Sequence, residues 1–194
     1  MNTIYTSNNK IRKGIFLDRD GVINRNYNNY VQSTQSVQII PKSLEAIAEL
    51  TQSEYVIVIV TNQSAIGRGI ISQETSEEIN SHLLNIIQNA NGRIDGVYVC
   101  PHHPQKLCNC RKPKPGMLLQ ASKDLNINLN ESWLIGDAIS DIQAALSVNV
   151  TPLLVKTGRG AEQFTLLQKN NLEDTQIFNN LYDATEYILK SQSN

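Results

Sequence analysis

Five short apolar runs separated by longer amphipathic stretches limit the folds open to this chain. They are Gly14-Ile15-Phe16-Leu17, Tyr55 to Val60, Gly96 to Cys100, Ser132 to Ile135 and Thr151 to Val155. Each is too short for a helix, and β-branched residues crowd the second, so all five read as buried strands. Between them apolar residues recur at helical spacing. Pro41 to Leu50 carries Leu44, Ile47, Ala48 and Leu50 behind a proline at its start. Ser72 to Asn91 opens on a serine cap with acids in its first turns and stops at Asn91-Gly92. Further helices are expected over Pro115 to Leu125, Asp141 to Val148, Phe164 to Lys169 and Tyr182 to Leu189. Strands and helices that alternate, with continuously apolar strands, predict an α/β fold: a parallel sheet with helices on both faces.

The 194 residues fit a single domain spanning 1–194, with a polar leader over 1–13 and a polar tail over 191–194. Seventeen basic and eighteen acidic side chains leave a net charge of -1, which offers no field for nucleic acid or an anionic membrane. No apolar run approaches the roughly 20 residues that cross a bilayer. The leader also lacks the apolar segment of a secretory signal. The expectation is a cytoplasmic protein, a monomer, with neither nucleic acid nor membrane as partner.

In parallel sheets of this kind, ligands bind at the carboxyl ends of the strands. Chemically able residues follow three of them directly: Asp18-Arg19-Asp20, Thr61-Asn62-Gln63-Ser64 and Gly136-Asp137. Asp18 and Asp20 can share a divalent cation, and oxygen ligands with room for water and phosphate suit magnesium. Asp137 adds a carboxylate from another strand, with Asp141 as its supporting neighbour. Asp18 is then placed to attack phosphorus, and Asp20 to serve as general acid and later as base. Gly21 lets the backbone approach a phosphate closely. Thr61 and Asn62 can donate to phosphate oxygens, and Lys112 is the cation that offsets the charge developing there. Each fragment alone is a common turn. All three on strand ends of one sheet are hard to explain structurally.

The segment Phe16-Leu17-Asp18-Arg19-Asp20-Gly21-Val22-Ile23-Asn24 resembles the first motif of the haloacid dehalogenase superfamily of phosphatases. Val60-Thr61-Asn62-Gln63 resembles the second motif, and Gly136-Asp137-Ala138-Ile139-Ser140-Asp141 the last. The similarity runs from about Gly14 to Gly160. It implies a Rossmannoid sheet and a magnesium site of Asp18, Asp20 and Asp137. It makes Asp18 the nucleophile, Asp20 the acid/base, and Thr61 and Lys112 the phosphate stabilisers. No insertion large enough for a separate cap domain is visible.

All three cysteines lie within eleven residues: Cys100, Cys108 and Cys110, with His102 among them. Three thiolates and an imidazole complete a tetrahedral zinc shell with no open position, hence a structural site. His103 could compete with His102, which is the favoured ligand. The loop runs on into Arg111-Lys112-Pro113, so a metal would hold both cations rigidly over the phosphate site.

Cys100-Pro101-His102-His103-Pro104 and Cys108-Asn109-Cys110-Arg111-Lys112-Pro113 resemble the zinc loop of a small subgroup of this superfamily. Its members act on heptose 1,7-bisphosphate or on histidinol phosphate. Thr61-Asn62-Gln63-Ser64-Ala65-Ile66-Gly67-Arg68-Gly69 is similar to the pattern of the heptose type. That resemblance implies removal of the C7 phosphate of the heptose in nucleotide-heptose synthesis, with histidinol phosphate as the alternative. By analogy Arg111 recognises substrate, and Asn62, Gln63 and Ser64 line its site. Two features depart from the heptose pattern: the short loop between His102 and Cys108, and Ala138 where relatives often carry Lys. From another class, a phospho-accepting receiver domain also clusters aspartates, Thr and Lys, but it needs neither Asp20 nor a zinc loop.

Overall fold

A computed structural model describes residues 11–191. The elements run β1 (Arg12–Leu17), a 3-10 turn (Thr34–Ser36), α1 (Ser43–Thr51), β2 (Val56–Asn62), α2 (Ser64–Gly67) and α3 (Gln73–Asn89). Then come β3 (Gly96–Cys100), α4 (Gly116–Leu125), β4 (Ile127–Gly136), α5 (Ile139–Leu146) and β5 (Thr151–Val155). The described residues close with α6 (Gly160–Phe164), a 3-10 turn (Gln168–Asn170), β6 (Gln176–Phe178) and α7 (Leu181–Ser191). The six strands form one parallel sheet in the order β3-β2-β1-β4-β5-β6.

The side-chain period of two sorts each strand between two cores. Ile15, Leu17, Ile57, Ile59 and Ile135 face α1, α3 and α7, packing on Ile47, Leu50, Leu83, Ile87, Ala184 and Ile188. Phe16, Val56, Val58, Val60 and Leu134 face the other way, onto Met117, Leu118 and Ala121 of α4 and Ala144 and Ala145 of α5. Because both faces are covered, the strands read as unbroken apolar runs rather than as alternation. The serine cap expected at Ser72 is present: its hydroxyl accepts from the Thr75 amide at 3.1 Å.

The sheet order makes β2, β1 and β4 neighbours, with Leu17 opposite both Ile59 and Ile135. Their carboxyl ends therefore lie side by side. The Asp18 amide still bonds to the Ile135 carbonyl at 3.0 Å, so the first residue past β1 remains tied to β4.

Several expectations need adjustment. The leader overlaps β1, since Arg12 and Lys13 already belong to the strand, and residues 1–10 lie outside the described part. Of the tail, Ser191 ends α7 and 192–194 lie outside. Strand β4 begins at Ile127, five residues early, because Arg12 and Lys13 pair with Ile127 and Asn128. No helix spans 164–169. α6 ends at Phe164, and Leu167 packs with Leu172 against Ile139, Ile142 and Leu154, so tertiary contact rather than helical periodicity places that leucine. β6, only three residues long and led by Gln176, carries too little apolar signal to be read in advance.

Candidate active site

Two of the three strand ends deliver Asp18 and Thr61 to the wall of one depression, and the third holds Asp137 fully buried behind it. A cavity of about 390 Å³ opens there, lined by Asp18, Asp20, Thr61, Asn62, Ser64 and Lys112 among others. A larger cavity of about 890 Å³ sits at the opposite, amino ends of the strands, around Arg12, Tyr55 and Trp133. None of the residues singled out in the motifs lines it, so size does not identify the site.

Lys112 forms the floor. Its Nζ lies 2.9 Å from Asp18 Oδ1, 2.6 Å from Asp141 Oδ1 and 2.7 Å from the Val60 carbonyl, with the lysine side chain 2% exposed. Burial would push this ammonium down, but Asp141 and Asp18 outweigh it and hold it above its ordinary value. The Asn62 side chain locks the loop in register: its Nδ2 donates to the Lys112 carbonyl and its Oδ1 accepts from the Lys112 amide, both at 3.1 Å. Asn62 thus lines the cavity with both polar atoms already committed to the lysine backbone.

Among the described residues, Asp18, Asp137 and Asp141 have carboxylate oxygens within 4.8 Å of one another. Burial pushes the Asp18 carboxyl up to about 7; Lys112 works against that rise, while Asp141 and Asp137 add to it. Asp137 is also raised, by burial and Asp141, despite the Arg159 guanidinium beside it. Asp141 is spoken for by the protein: one oxygen faces Lys112, and the other accepts the Ala138 amide at 3.1 Å at the start of α5. Crowded buried carboxylates that resist ionisation are what a hard divalent cation relieves, so the acidic set fits magnesium. Glycine is required beside them. Gly21 (φ 99°) and Gly158 (φ 58°) both pack on Asp137 so closely that a Cβ on either would overlap its carboxylate.

Asp20 points elsewhere. Its carboxylate is not part of the acidic trio; it is gripped by Arg19 Nη2 at 2.9 Å, Asn24 Nδ2 at 2.7 Å and Gln63 Nε2 at 2.7 Å. Burial works upward on this group, but Arg19 and the hydrogen bonds from Arg19, Gln63 and Asn24 outweigh it and leave Asp20 below the ordinary value. As a magnesium ligand through its carboxylate, Asp20 does not fit this arrangement.

The cysteines and His102 come together as a second metal-holding group, again within 4.8 Å. Cys100 Sγ lies 3.8 Å from Cys108 Sγ and 3.6 Å from His102 Nδ1, and His102 Nδ1 lies 3.2 Å from Cys110 Sγ. Tetrahedral zinc bonds of about 2.3 Å to sulfur and about 2.0 Å to nitrogen would require separations near 3.8 and 3.5 Å, so the set fits zinc. His103 is turned away, its Nδ1 accepting from the Gln105 amide at 3.2 Å. Gly67 supports this loop from below: a Cβ there would overlap the backbone of His102 and His103.

Other cavity residues were not marked by any motif. Arg159, from the turn after β5, donates its amide to Asp137 at 2.8 Å, and Tyr27 and Tyr30 wall the cavity from the segment after β1. Of the motif residues, Arg68 and Arg111 line it as well, and among the described residues Nη1 of Arg111 is buried without a hydrogen-bond partner. The Ser64 hydroxyl donates to the Tyr30 hydroxyl at 3.5 Å. Gln63 is 1% exposed and is not part of the wall.

The HAD-hydrolase-like family model matches residues 109–184. The D-glycero-beta-D-manno-heptose-1,7-bisphosphate 7-phosphatase of Neisseria meningitidis serogroup A is 38% identical over 181 residues, covering 93% of this chain and 97% of that protein. The protein of the same name from Pseudomonas aeruginosa is 38% identical over 179 residues, 92% of this chain and 99% of the other. Among solved structures, the D,D-heptose 1,7-bisphosphate phosphatase from B. bronchiseptica complexed with magnesium and phosphate aligns with a TM-score of 0.86 at 35% identity. That alignment covers 92% of this chain and 99% of the other.

Proposed function

The chain belongs to the haloacid dehalogenase-like phosphatases, and from that membership we propose that it removes the C7 phosphate of D-glycero-beta-D-manno-heptose 1,7-bisphosphate through a phosphoryl group carried on Asp18. The observation that carries this reading is the buried Lys112, held between Asp18 and Asp141 at the floor of the cavity. Such a lysine fixes the nucleophile and offers a positive charge where a transferred phosphoryl group gathers negative charge.

The steps follow from the side chains. An Asp18 oxygen attacks phosphorus as the bond from phosphorus to the sugar oxygen breaks, and Asp20 gives that oxygen a proton. In the second step Asp20 takes a proton from water, which attacks phosphorus and frees Asp18 and inorganic phosphate. Arg19, Gln63 and Asn24 favour the ionised form of Asp20, the form in which it accepts that proton. Thr61 and Lys112 hold the phosphate oxygens. Asp18 and Asp137 would hold magnesium, which when bound draws charge from the phosphate and keeps Asp18 ionised. Cys100, His102, Cys108 and Cys110 would hold zinc, keeping Arg111 and Lys112 in place.

Arg68, Arg111 and Arg159 ring the cavity, a cationic rim suited to a substrate with two phosphates. The unpartnered Nη1 of Arg111 supports an anion contact at that point. No helix among the described residues is long and apolar enough to cross a membrane. Within this reading the chain works as a monomer in the cytoplasm.

The test is phosphate release with magnesium on both anomers of heptose 1,7-bisphosphate, histidinol phosphate and fructose 1,6-bisphosphate. Release of one phosphate from the β-heptose, well ahead of the others, is expected. A preference for histidinol phosphate would overturn the substrate assignment.

A further inference from the structure

The resemblance places Gln63 at the substrate, but the structure assigns it a different task. Its main chain is fixed where β2 ends, the amide donating to the Cys100 carbonyl at 2.8 Å. Its side chain is buried at 1% exposure and does not reach the cavity wall. The carboxamide nitrogen donates to Asp20 Oδ2 at 2.7 Å and to Thr61 Oγ1 at 2.9 Å. The opposite flip would set its oxygen against a carboxylate, so the amide orientation is fixed by charge. Both amide protons are thus used on residues that line the cavity.

We propose that Gln63 is a positioning residue for the reaction: it holds the Asp20 carboxylate where it meets the leaving oxygen and turns the Thr61 hydroxyl toward the phosphate. An oxygen that accepts from Gln63 must direct its own proton elsewhere, and Thr61 is one of the residues lining the cavity. The remaining Asp20 contacts come from its sequence neighbours. Asn24 donates to Oδ1 at 2.7 Å, and Arg19 spans both oxygens while its Nη1 is tethered to Asn80 of α3 at 2.8 Å. Gln63 is the contact that ties Asp20 to the neighbouring strand, and so sets the separation between the acid/base and the Thr61 phosphate contact. The inference rests on the proposed phosphatase reaction, in which Asp20 protonates the departing sugar oxygen.

The test compares Gln63→Met, which keeps the length and removes the donors, with the wild type on two esters. One is the sugar phosphate the wild type prefers, whose leaving oxygen needs a proton. The other is p-nitrophenyl phosphate, whose leaving group departs as the anion. Loss of positioning should lower kcat/KM on the sugar phosphate about 100-fold, within the range of general acid–base contributions. On p-nitrophenyl phosphate the loss should be at least tenfold smaller, with KM on both within about threefold of wild type. Gln63→Glu, which turns an acceptor toward Asp20 while keeping a polar side chain, should give the same selectivity and covers the case in which the methionine variant does not fold. A raised KM with unchanged kcat would return Gln63 to the substrate and overturn the inference. An equal loss on both esters would overturn it too, as a merely structural effect. A wild type that hydrolyses neither ester would overturn the phosphatase reading itself, and this inference with it.

Discussion

Replacing Lys112 with methionine keeps most of the side-chain volume and removes the ammonium that sits between two buried carboxylates. The lysine side chain is 2% exposed, Asp18 8% and Asp141 1%, with contacts of 2.9 and 2.6 Å. Removing one member of a buried ion pair costs about 3–5 kcal/mol, because the partner is left charged and unpaired. For a chain of this size each kcal/mol shifts the melting temperature by about 2–4 °C, so a loss of roughly 6–20 °C is expected at pH 8. The loss must depend on pH. Asp18, pushed up to about 7, carries a proton at pH 5 in the folded wild type and has little to gain there from the lysine. Without Lys112 that pKa rises further, so the variant falls behind the wild type as the pH climbs past 7. Thermal unfolding followed by circular dichroism at pH 5 and pH 8, without magnesium, measures both numbers. A deficit below 1 kcal/mol at pH 8, or one larger at pH 5 than at pH 8, would refute the reasoning.

Magnesium affinity should weaken by up to tenfold for each unit the pH drops below about 7, since the Asp18 proton must leave; calorimetric titration at pH 6 and 7.5 checks this. Cys108→Ser should lower the melting temperature while leaving the magnesium concentration for half-maximal activity within about twofold, and elemental analysis should find about one zinc per wild-type chain. Gly21→Ala should cut activity by at least 100-fold, because a Cβ at this left-handed position overlaps the Asp137 carboxylate; near wild-type turnover would contradict the packing.

Local pattern made much of the site legible. Asp18, Thr61 and Asp137 each follow a run of residues buried on both faces, and a parallel sheet forces such positions to one edge. Lys112 was legible through the cysteines just before it. The contacts made across the fold were not. Asp141 reads as a neighbour of Asp137, yet it holds Lys112, and that pairing exists only once α5 and the cysteine loop have met over β1. Asp20 resembles half of a metal pair, but Arg19, Asn24 and Gln63 draw its carboxylate away, and sequence spacing carries no side-chain direction. Arg159 lies in a turn that nothing in its own neighbourhood marks as functional. The leucines after Phe164 have helical spacing, but the same spacing serves a loop pinned onto Ile139 and Leu154.

The central claim is that phosphorus passes through Asp18, and acid quench of the enzyme within milliseconds of mixing with substrate and magnesium tests it most directly. Mass spectrometry of the digested protein should find one phosphoryl group on the peptide containing Asp18, formed and lost at rates that account for turnover. The Asp18→Asn protein should carry none and release no phosphate. Turnover by that variant, or a phosphoryl group on any other residue at matching rates, would contradict the account.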